Sequence, residues 1–244
     1  MHALGHISDI VRYPVKSMAG VATDSAALGW HGLAGDRRFA VRRLGDESGF
    51  PWLTASRLAD LLRYQPTGVD EQSGEPLPTH VRTPDGALLG LRSPELRREI
   101  AERLGADVEL MHMKHGVFDD AAISVISLAT ITGIGRDLGV DLDRRRFRAN
   151  VVLDVQDAAP FHDDGWVGGT LVFGASEPRA MVRVTARDVR CMMINLDPDT
   201  AVQDARILKS VVRLNANHAG VYGTVVQAGT IHVGQPVSLI SDAR

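Results

Sequence analysis

The chain is poor in cysteine and in lysine. Cys191 is the only cysteine among 244 residues, which excludes an intramolecular disulfide, a four-cysteine zinc site and an iron–sulfur cluster held by this chain alone. Such usage fits a reducing compartment. Only Lys16, Lys114 and Lys209 are lysines, so the 27 basic residues are nearly all arginine, and the 30 acidic residues outnumber them. A nucleic-acid binder needs a basic excess, so any phosphate recognition must be local. No segment approaches the roughly 18 uninterrupted apolar residues of a membrane span. The start, Met1-His2-Ala3-Leu4-Gly5-His6, has neither the basic nor the apolar region of a secretory leader. The expectation is a cytoplasmic protein with no nucleic-acid or membrane partner. Also missing are a Gly-x-Ser-x-Gly elbow, a Walker loop and a His-Glu-x-x-His pair.

The sequence does contain enough apolar residues, 44%, to bury a substantial core. Short β-prone runs separated by turns dominate: 7–11, 21–28, 38–43, 150–153, 170–173, 180–185, 221–227, 230–233 and 237–240. Helices are few. Thr54 is a candidate N-cap for an amphipathic helix over 55–64. Ser93 at N-cap and Pro94 at N1, with Gly105 as stop, mark a helix to Leu104, and a third runs from Ser127 to Leu138 before Gly139. A fourth is expected over 204–214. Residues 66–78 read as a polar surface loop. Strands that do not alternate regularly with helices argue for a mostly-β or α+β, barrel-like architecture rather than a doubly wound sheet.

Two tempting motifs carry little. Gly133-Ile134-Gly135-Arg136-Asp137-Leu138-Gly139 has the wrong last spacing for a dinucleotide loop and falls at a helix end. His112 and His115 follow a strand and are too few for a zinc site, so they read as surface or loop residues. Three segments are stronger candidates. In Arg12-Tyr13-Pro14-Val15-Lys16-Ser17 a strand stops at proline and presents an ammonium and a hydroxyl on a turn, a cradle for an anion; the competing reading is an ordinary solvated turn. In Arg144-Arg145-Arg146-Phe147-Arg148-Ala149-Asn150 four guanidinium forks precede a strand and suit phosphate or carboxylate. At least two of them are expected in solvent. Arg148 and Asn150 share parity and face the same side if the strand begins early. The third is Arg190-Cys191, which is either a buried structural thiol or a thiolate favoured by Arg187 and Arg190. His162 and His218 are candidate bases beside it, though no spacing selects either.

These segments, taken in order, resemble the MOSC family, named for the C-terminal domain of molybdenum-cofactor sulfurase. Tyr13-Pro14-Val15-Lys16-Ser17 with Gly20, and Gly32-Leu33-Ala34-Gly35-Asp36-Arg37-Arg38-Phe39, resemble the N-terminal β-barrel domain that precedes MOSC in many members. The MOSC portion is carried by Arg146-Phe147-Arg148-Ala149-Asn150-Val151-Val152, Asp164-Gly165-Trp166, Arg190-Cys191 with Asp197-Pro198-Asp199-Thr200, and Gly229-Thr230-Ile231-His232-Val233-Gly234. The resemblance implies an N-terminal barrel over 1–95 and a MOSC domain over 96–244. It implies a pterin-bound molybdenum cofactor, with Cys191 as metal ligand and catalytic residue, and with Lys16, Ser17, Arg37, Arg148, Asn150 and Arg190 holding the pterin and its phosphate. At the level of the family it also touches pyridoxal phosphate binding.

Within the family the chain is similar to the amidoxime-reducing component and its bacterial counterparts. That similarity implies an oxidoreductase that reduces N-hydroxylated small molecules with electrons from a separate donor protein, since one cysteine leaves no iron–sulfur cluster on this chain. Four positions depart from the pattern: Ala149 stands for proline, Ala201 for glycine, Ala219 for phenylalanine, and Val189 for a serine found in some active relatives. Two further functions compete with the oxidoreductase: a sulfur carrier with a persulfide on Cys191, and a non-catalytic barrel that binds an anion or a partner.

Overall fold

The computed structural model describes residues 1–118, 120–175 and 178–241. The first part of the chain supplies β1 (His2–Arg12), β2 (Val21–Thr23), β3 (Ser25–Gly29), β4 (Gly32–Leu33), β5 (Phe39–Arg43), β6 (Gln65–Thr67), β7 (His80–Arg82), β8 (Leu88–Gly90), α1 (Pro94–Leu104) and β9 (Val108–His112). The rest supplies β10 (Ile123–Ser127), α2 (Leu128–Leu138), β11 (Val151–Val155), β12 (Thr170–Phe173), β13 (Ala180–Val189), α3 (Arg206–Asn215), β14 (His218–Gln227), β15 (Gly229–His232) and β16 (Pro236–Ile240). The mostly-β, barrel-containing architecture expected from the sequence is the one observed.

Seven strands close into a barrel in the order β11-β10-β14-β13-β12-β16-β1, with β1 returning to β11. Alternate side chains of a strand face opposite sides. Ile123 and Val125 of β10, Val151 and Leu153 of β11, and Val182 and Val184 of β13 therefore share the barrel interior. Ile126 and Val152, one residue out of phase, pack outside it with Ile131, Ile134, Ile207 and Val211 of α2 and α3. All five residues of β10, Ile123-Ser124-Val125-Ile126-Ser127, are buried, and its two serines spend their hydroxyls on the buried carboxylates Asp188 and Asp163. At Gly5 a Cβ would lie 1.9 Å from the carbonyl oxygen of Asp154, so glycine lets the bulged β1 pass β11 at that point.

A smaller β module packs beside the barrel. β5 pairs with β9, and β6, β7 and β8 form a meander. With α1 they bury Phe39, Leu53, Leu61, Tyr64, Val81 and Leu96. The sheets do not divide the chain at 95/96. β1 is a barrel strand, β9 pairs back to β5, and β3 pairs with β15. Between β11 and β16, β1 covers two edges that would otherwise stand open.

Local signals fared unevenly. Ser93 Oγ accepts from Leu96 N at 3.3 Å and Gly105 ends α1 at φ 74°. Ser127 Oγ accepts from Thr130 N at 3.2 Å and Gly139 ends α2 at φ 69°. The run Gly133 to Gly139 is indeed helix and helix end. The expected helix over 55–64 is instead a 3-10 turn, Ala59–Arg63, because Leu58 is extended and interrupts the helical path after Thr54. The strand expected over 21–28 is split between β2 and β3. The expected loop over 66–78 begins inside β6, buries Leu77 and sends Glu75 to Arg38 at 2.7 Å.

One buried carboxylate ties α2 to the segment that follows β11. Asp163, fully buried, accepts from Ser127 Oγ at 2.6 Å, Ser127 N at 3.1 Å and Thr130 Oγ1 at 3.0 Å. Burial opposes its charge, but the His162 imidazole 3.2 Å away and the hydrogen bonds from Ser127 outweigh burial and hold the carboxyl below its ordinary range. Asp163→Ala is expected to cost about 3 kcal/mol in urea denaturation by orphaning these donors. The stability contributed by its ionisation is complete above about pH 4 and is lost as pH falls further, because the folded group titrates below the unfolded one. A second position tests backbone strain. Ala201 closes the Asp197–Ala201 turn in the left-handed region, at φ 59°. Ala201→Gly is expected to stabilise by about 1 kcal/mol, read as a raised melting temperature.

Candidate functional site

A cleft of about 440 Å³ opens where the chain after β1, the chain before β5 and the turn before β11 meet the end of β13. Lys16, Ser17, Arg37, Arg148, Arg190 and Cys191 all line it, so residues scattered over 175 positions of sequence meet at one cleft. Five cationic side chains line the cleft, with Arg146 added to those named, against the carboxylates of Asp120 and Asp188 in the lining and of Asp36 and Asp197, which pair with Arg37 and Arg146 from behind it. That balance favours an anion.

The lysine turn is fixed by the edge of the small module. Val15 bridges Phe39, and Lys16 N donates to Phe39 O at 2.8 Å. Lys16 itself is buried, its Nζ 5.7 Å from the centre of the Phe50 ring. Behind the turn lies Asp36, fully buried. Its Oδ1 accepts from Tyr13 N at 2.6 Å, and its Oδ2 takes the Arg37 guanidinium in a close ion pair. Arg37 also donates to Asn150 Oδ1 at 3.2 Å and to Arg148 O at 3.4 Å, and lies 5.2 Å from the centre of the Tyr13 ring. Burial raises the Tyr13 phenol above its ordinary range, against the pull of Arg148 and Arg37, so the ring stays neutral beneath them.

Asn150 is placed differently from the other expected ligand-binding residues. It is buried and absent from the cleft lining; its Oδ1 accepts from Arg37 and from Ser124 N at 3.2 Å, and its Nδ2 donates to Val11 O at 3.2 Å. Asn150 thus holds Arg37 from behind. The strand begins at Val151 and Arg148 is left-handed at φ 51°, so the parity expected between Arg148 and Asn150 does not apply. Arg148 donates Nη1 to Met18 O at 2.8 Å and stacks 4.2 Å from the Tyr13 ring centre. Of the same run, Arg144 and Arg145 are exposed and Arg146 is largely covered.

Cys191 is exposed on the cleft wall, at the start of the 3-10 turn Met192–Asn195. Burial as a structural thiol is therefore excluded. The arginines expected to favour a thiolate are engaged elsewhere. Arg187 meets Asp164 at 3.3 Å. Arg190 is buried and donates to Ala219 O and Phe147 O, each at 2.7 Å. Its Nη2 lies 2.9 Å from Asp188, an ion pair by distance without the alignment of a hydrogen bond. Gly220 makes room for this guanidinium: a Cβ there would stand 3.2 Å from Arg190 Nη2 and 2.7 Å from Val125 O. Neither His162 nor His218 lines the cleft. Val189 does, at 54% exposure.

Sequence reading missed a polar cluster on the barrel side. Ser124 of β10 lies opposite Tyr222 of β14, and both reach Asp188 near the end of β13, Ser124 Oγ at 2.9 Å. Burial raises the Asp188 carboxyl above its ordinary range, with Arg190 opposing. No spacing announces these three, since strand pairing alone unites them. Asp36 had a signal, its place beside Arg37 in the Gly35-Asp36-Arg37 motif.

A closed barrel, a smaller β module and an arginine-lined cleft between them, with one exposed thiol on its wall, define the class. The family model of the MOSC N-terminal beta barrel domain matches residues 4–92, and that of the MOSC domain matches residues 112–238. The chain belongs to the MOSC-domain family. Among solved structures it is similar to the YuaD protein from Bacillus subtilis, with 14% identity and a TM-score of 0.54 over 100% of this chain and 98% of that one. It is also similar to YiiM from Geobacillus stearothermophilus, with 22% identity and a TM-score of 0.37 over 50% of this chain and 55% of that one. The first likeness shows a shared fold. No curated protein matches. Among the described residues no helix is long and apolar enough to cross a membrane.

The cleft depends on Asp36. Asp36→Asn is expected to destabilise the protein by about 3 kcal/mol in chemical denaturation, because it leaves the Arg37 charge without its buried partner.

Proposed function

We propose that the cleft holds a pterin-bound molybdenum cofactor and that the protein is an oxidoreductase reducing N-hydroxylated or similar N–O compounds. The observation that carries this reading is an exposed thiol, Cys191, lining the same cleft as Lys16, Arg37 and Arg148. A thiolate is a soft ligand suited to such a metal. Among the described residues no group of three or more His, Cys, Asp or Glu side chains could hold a metal ion. A metal at Cys191 therefore needs donors carried by its own organic ligand, which a pterin dithiolene provides. The cations at the other residues suit that ligand's phosphate end.

In this reading the bound group supplies two-electron redox chemistry. The chain supplies orientation and electrostatics. Asp36 and Asn150 set the Arg37 guanidinium, the carbonyl of Met18 and the Tyr13 face set Arg148, and Lys16 adds a point charge from a buried turn. Arg190 is a positioning residue: its bonds to Ala219 O and Phe147 O fix the chain on which Cys191 sits. Cleavage of an N–O bond takes up two electrons and two protons and releases water. With one cysteine and no cluster of its own, the chain takes the electrons from a separate redox protein.

Molybdenum and pterin content, measured in protein from a cofactor-competent host, test the reading. Wild type is expected to carry both, and Cys191→Ser to lose molybdenum. Absence of molybdenum from wild type, or equal molybdenum in Cys191→Ser, overturns it. A labile sulfur adduct on Cys191 without pterin, seen by mass spectrometry, would favour the persulfide carrier, to which an exposed thiol is also suited.

A further inference from the structure

A second cavity, about 660 Å³, shares a wall with the cleft: Arg146, Arg148 and Met193 line both. Lys16, Arg37 and Cys191 do not line it. Its volume is in the range of small-molecule sites, and it lies between the barrel and the small module. Val11, Tyr13, Leu62, Val152 and Leu196 give it apolar surface.

Its charges are arranged unevenly. Arg82, Arg144, Arg145, Arg146 and Arg148 line it with Asp9, Asp143 and Asp199, and Asp197 pairs with Arg146. Arg145 is saturated, with Nε, Nη1 and Nη2 all spent on Asp143 and Asp199. Arg82 and Arg144 are not. Arg82 uses only Nη1, to Gly86 O at 3.2 Å, and Arg144 only Nη1, to Ser8 Oγ at 3.3 Å and Asp9 Oδ2 at 2.6 Å. Among the described residues, each therefore keeps its Nε–Nη2 edge open. That edge is the fork that matches the two oxygens of a carboxylate. Arg144 is already held in place by Asp9.

We infer that this second cavity is a binding site for a small organic acid, a carboxylate on an apolar, ring-sized body, with Arg82 and Arg144 taking the acid. The site stands whether or not the neighbouring cleft takes a molybdenum cofactor.

Calorimetric titration of the full chain with 1-naphthaleneacetate, compared with the uncharged 2-(1-naphthyl)ethanol, tests it. A ligand of this size is expected to bind with Kd of about 1 mM or tighter, and the acid about tenfold or more tighter than the alcohol. Arg82→Ala/Arg144→Ala is expected to bring the acid down to the alcohol's affinity. Ala22→Trp, at an exposed position on the cavity lining, is expected to abolish binding of both. Lys16→Ala in the neighbouring cleft should leave both unchanged. Arg82, Arg144 and Ala22 are exposed, circular dichroism and melting temperature check that the variants fold, and the wild-type comparison stands without them. Equal affinity for acid and alcohol, no binding at about 10 mM, or acid binding lost in Lys16→Ala but kept in Ala22→Trp, would each overturn the inference.

Discussion

The buried ion pair between Asp36 and Arg37 is the contact on which the cleft rests. A fully buried carboxylate is costly to desolvate and survives only when its charge and lone pairs are matched. Arg37 matches the charge and the peptide N–H of Tyr13 takes the other oxygen. Asp36 and Arg37 are neighbours in the chain before β5, so the ties to the barrel are their outward bonds: Tyr13 N, just after β1, to Asp36 Oδ1, and Arg37 to Asn150 Oδ1, just before β11. Around it Phe39 N donates to Pro14 O at 3.0 Å and Lys16 N to Phe39 O at 2.8 Å. The proline that ends β1 thus does more than interrupt a ladder: it frees a carbonyl and a turn for the neighbouring module, and the turn delivers Lys16 and Ser17 to the cleft.

Strain gathers at the same place. Ser17, Arg37 and Arg148 hold left-handed backbone at φ 65°, 48° and 51°, a conformation that costs a non-glycine residue roughly 1 kcal/mol or more. Glycine would relieve it, but glycine carries neither hydroxyl nor guanidinium. The surroundings over-determine each turn. Arg37 N donates to Tyr13 O at 2.8 Å, Arg148 N to Arg145 O at 3.2 Å, and Arg148 Nη1 to Met18 O. Three cleft-lining residues held at stored cost argue that their side chains, rather than their backbones, set the requirement.

Much of this was legible in the sequence, for reasons that differ by residue. Serine caps and glycine stops are local chemistry, so α1 and α2 could be read within a residue. The Lys16, Arg37, Arg148 and Cys191 positions could be read because they sit in short motifs. Long-range pairing could not. Nothing in His2–Arg12 says that the strand closes a barrel with residues more than 140 positions away, and nothing in Ser124, Asp188 or Tyr222 says that they meet. Side-chain direction was equally hidden. Asn150 and Arg190 stand in the motifs, but Asn150 faces the back of Arg37 and Arg190 spends two nitrogens on carbonyls. The motifs mark the residues around the cleft; their hydrogen bonds distinguish those that face it from those that hold it up.

The arginine run shows how a fold resolves a cluster of like charge. A 3-10 turn has three residues per turn, so the side chains of Arg144, Arg145 and Arg146 fan out about 120° apart. Each meets its own carboxylate: Asp9 for Arg144, Asp143 and Asp199 for Arg145, and Asp197 for Arg146. Arg148, left-handed at the end of the turn, donates to Met18 O and stacks on Tyr13. The carboxylates come from three different segments, so closing the turn draws together the start of the chain, the turn itself and the loop after Cys191. Four adjacent charges become a set of separate partnerships, and the two that lie deepest, Arg146 and Arg148, form the partition between two cavities. An anion on either side of that partition meets guanidinium already fixed by the other contacts, which is why a planar, multiply bonded cation suits this wall better than a flexible ammonium.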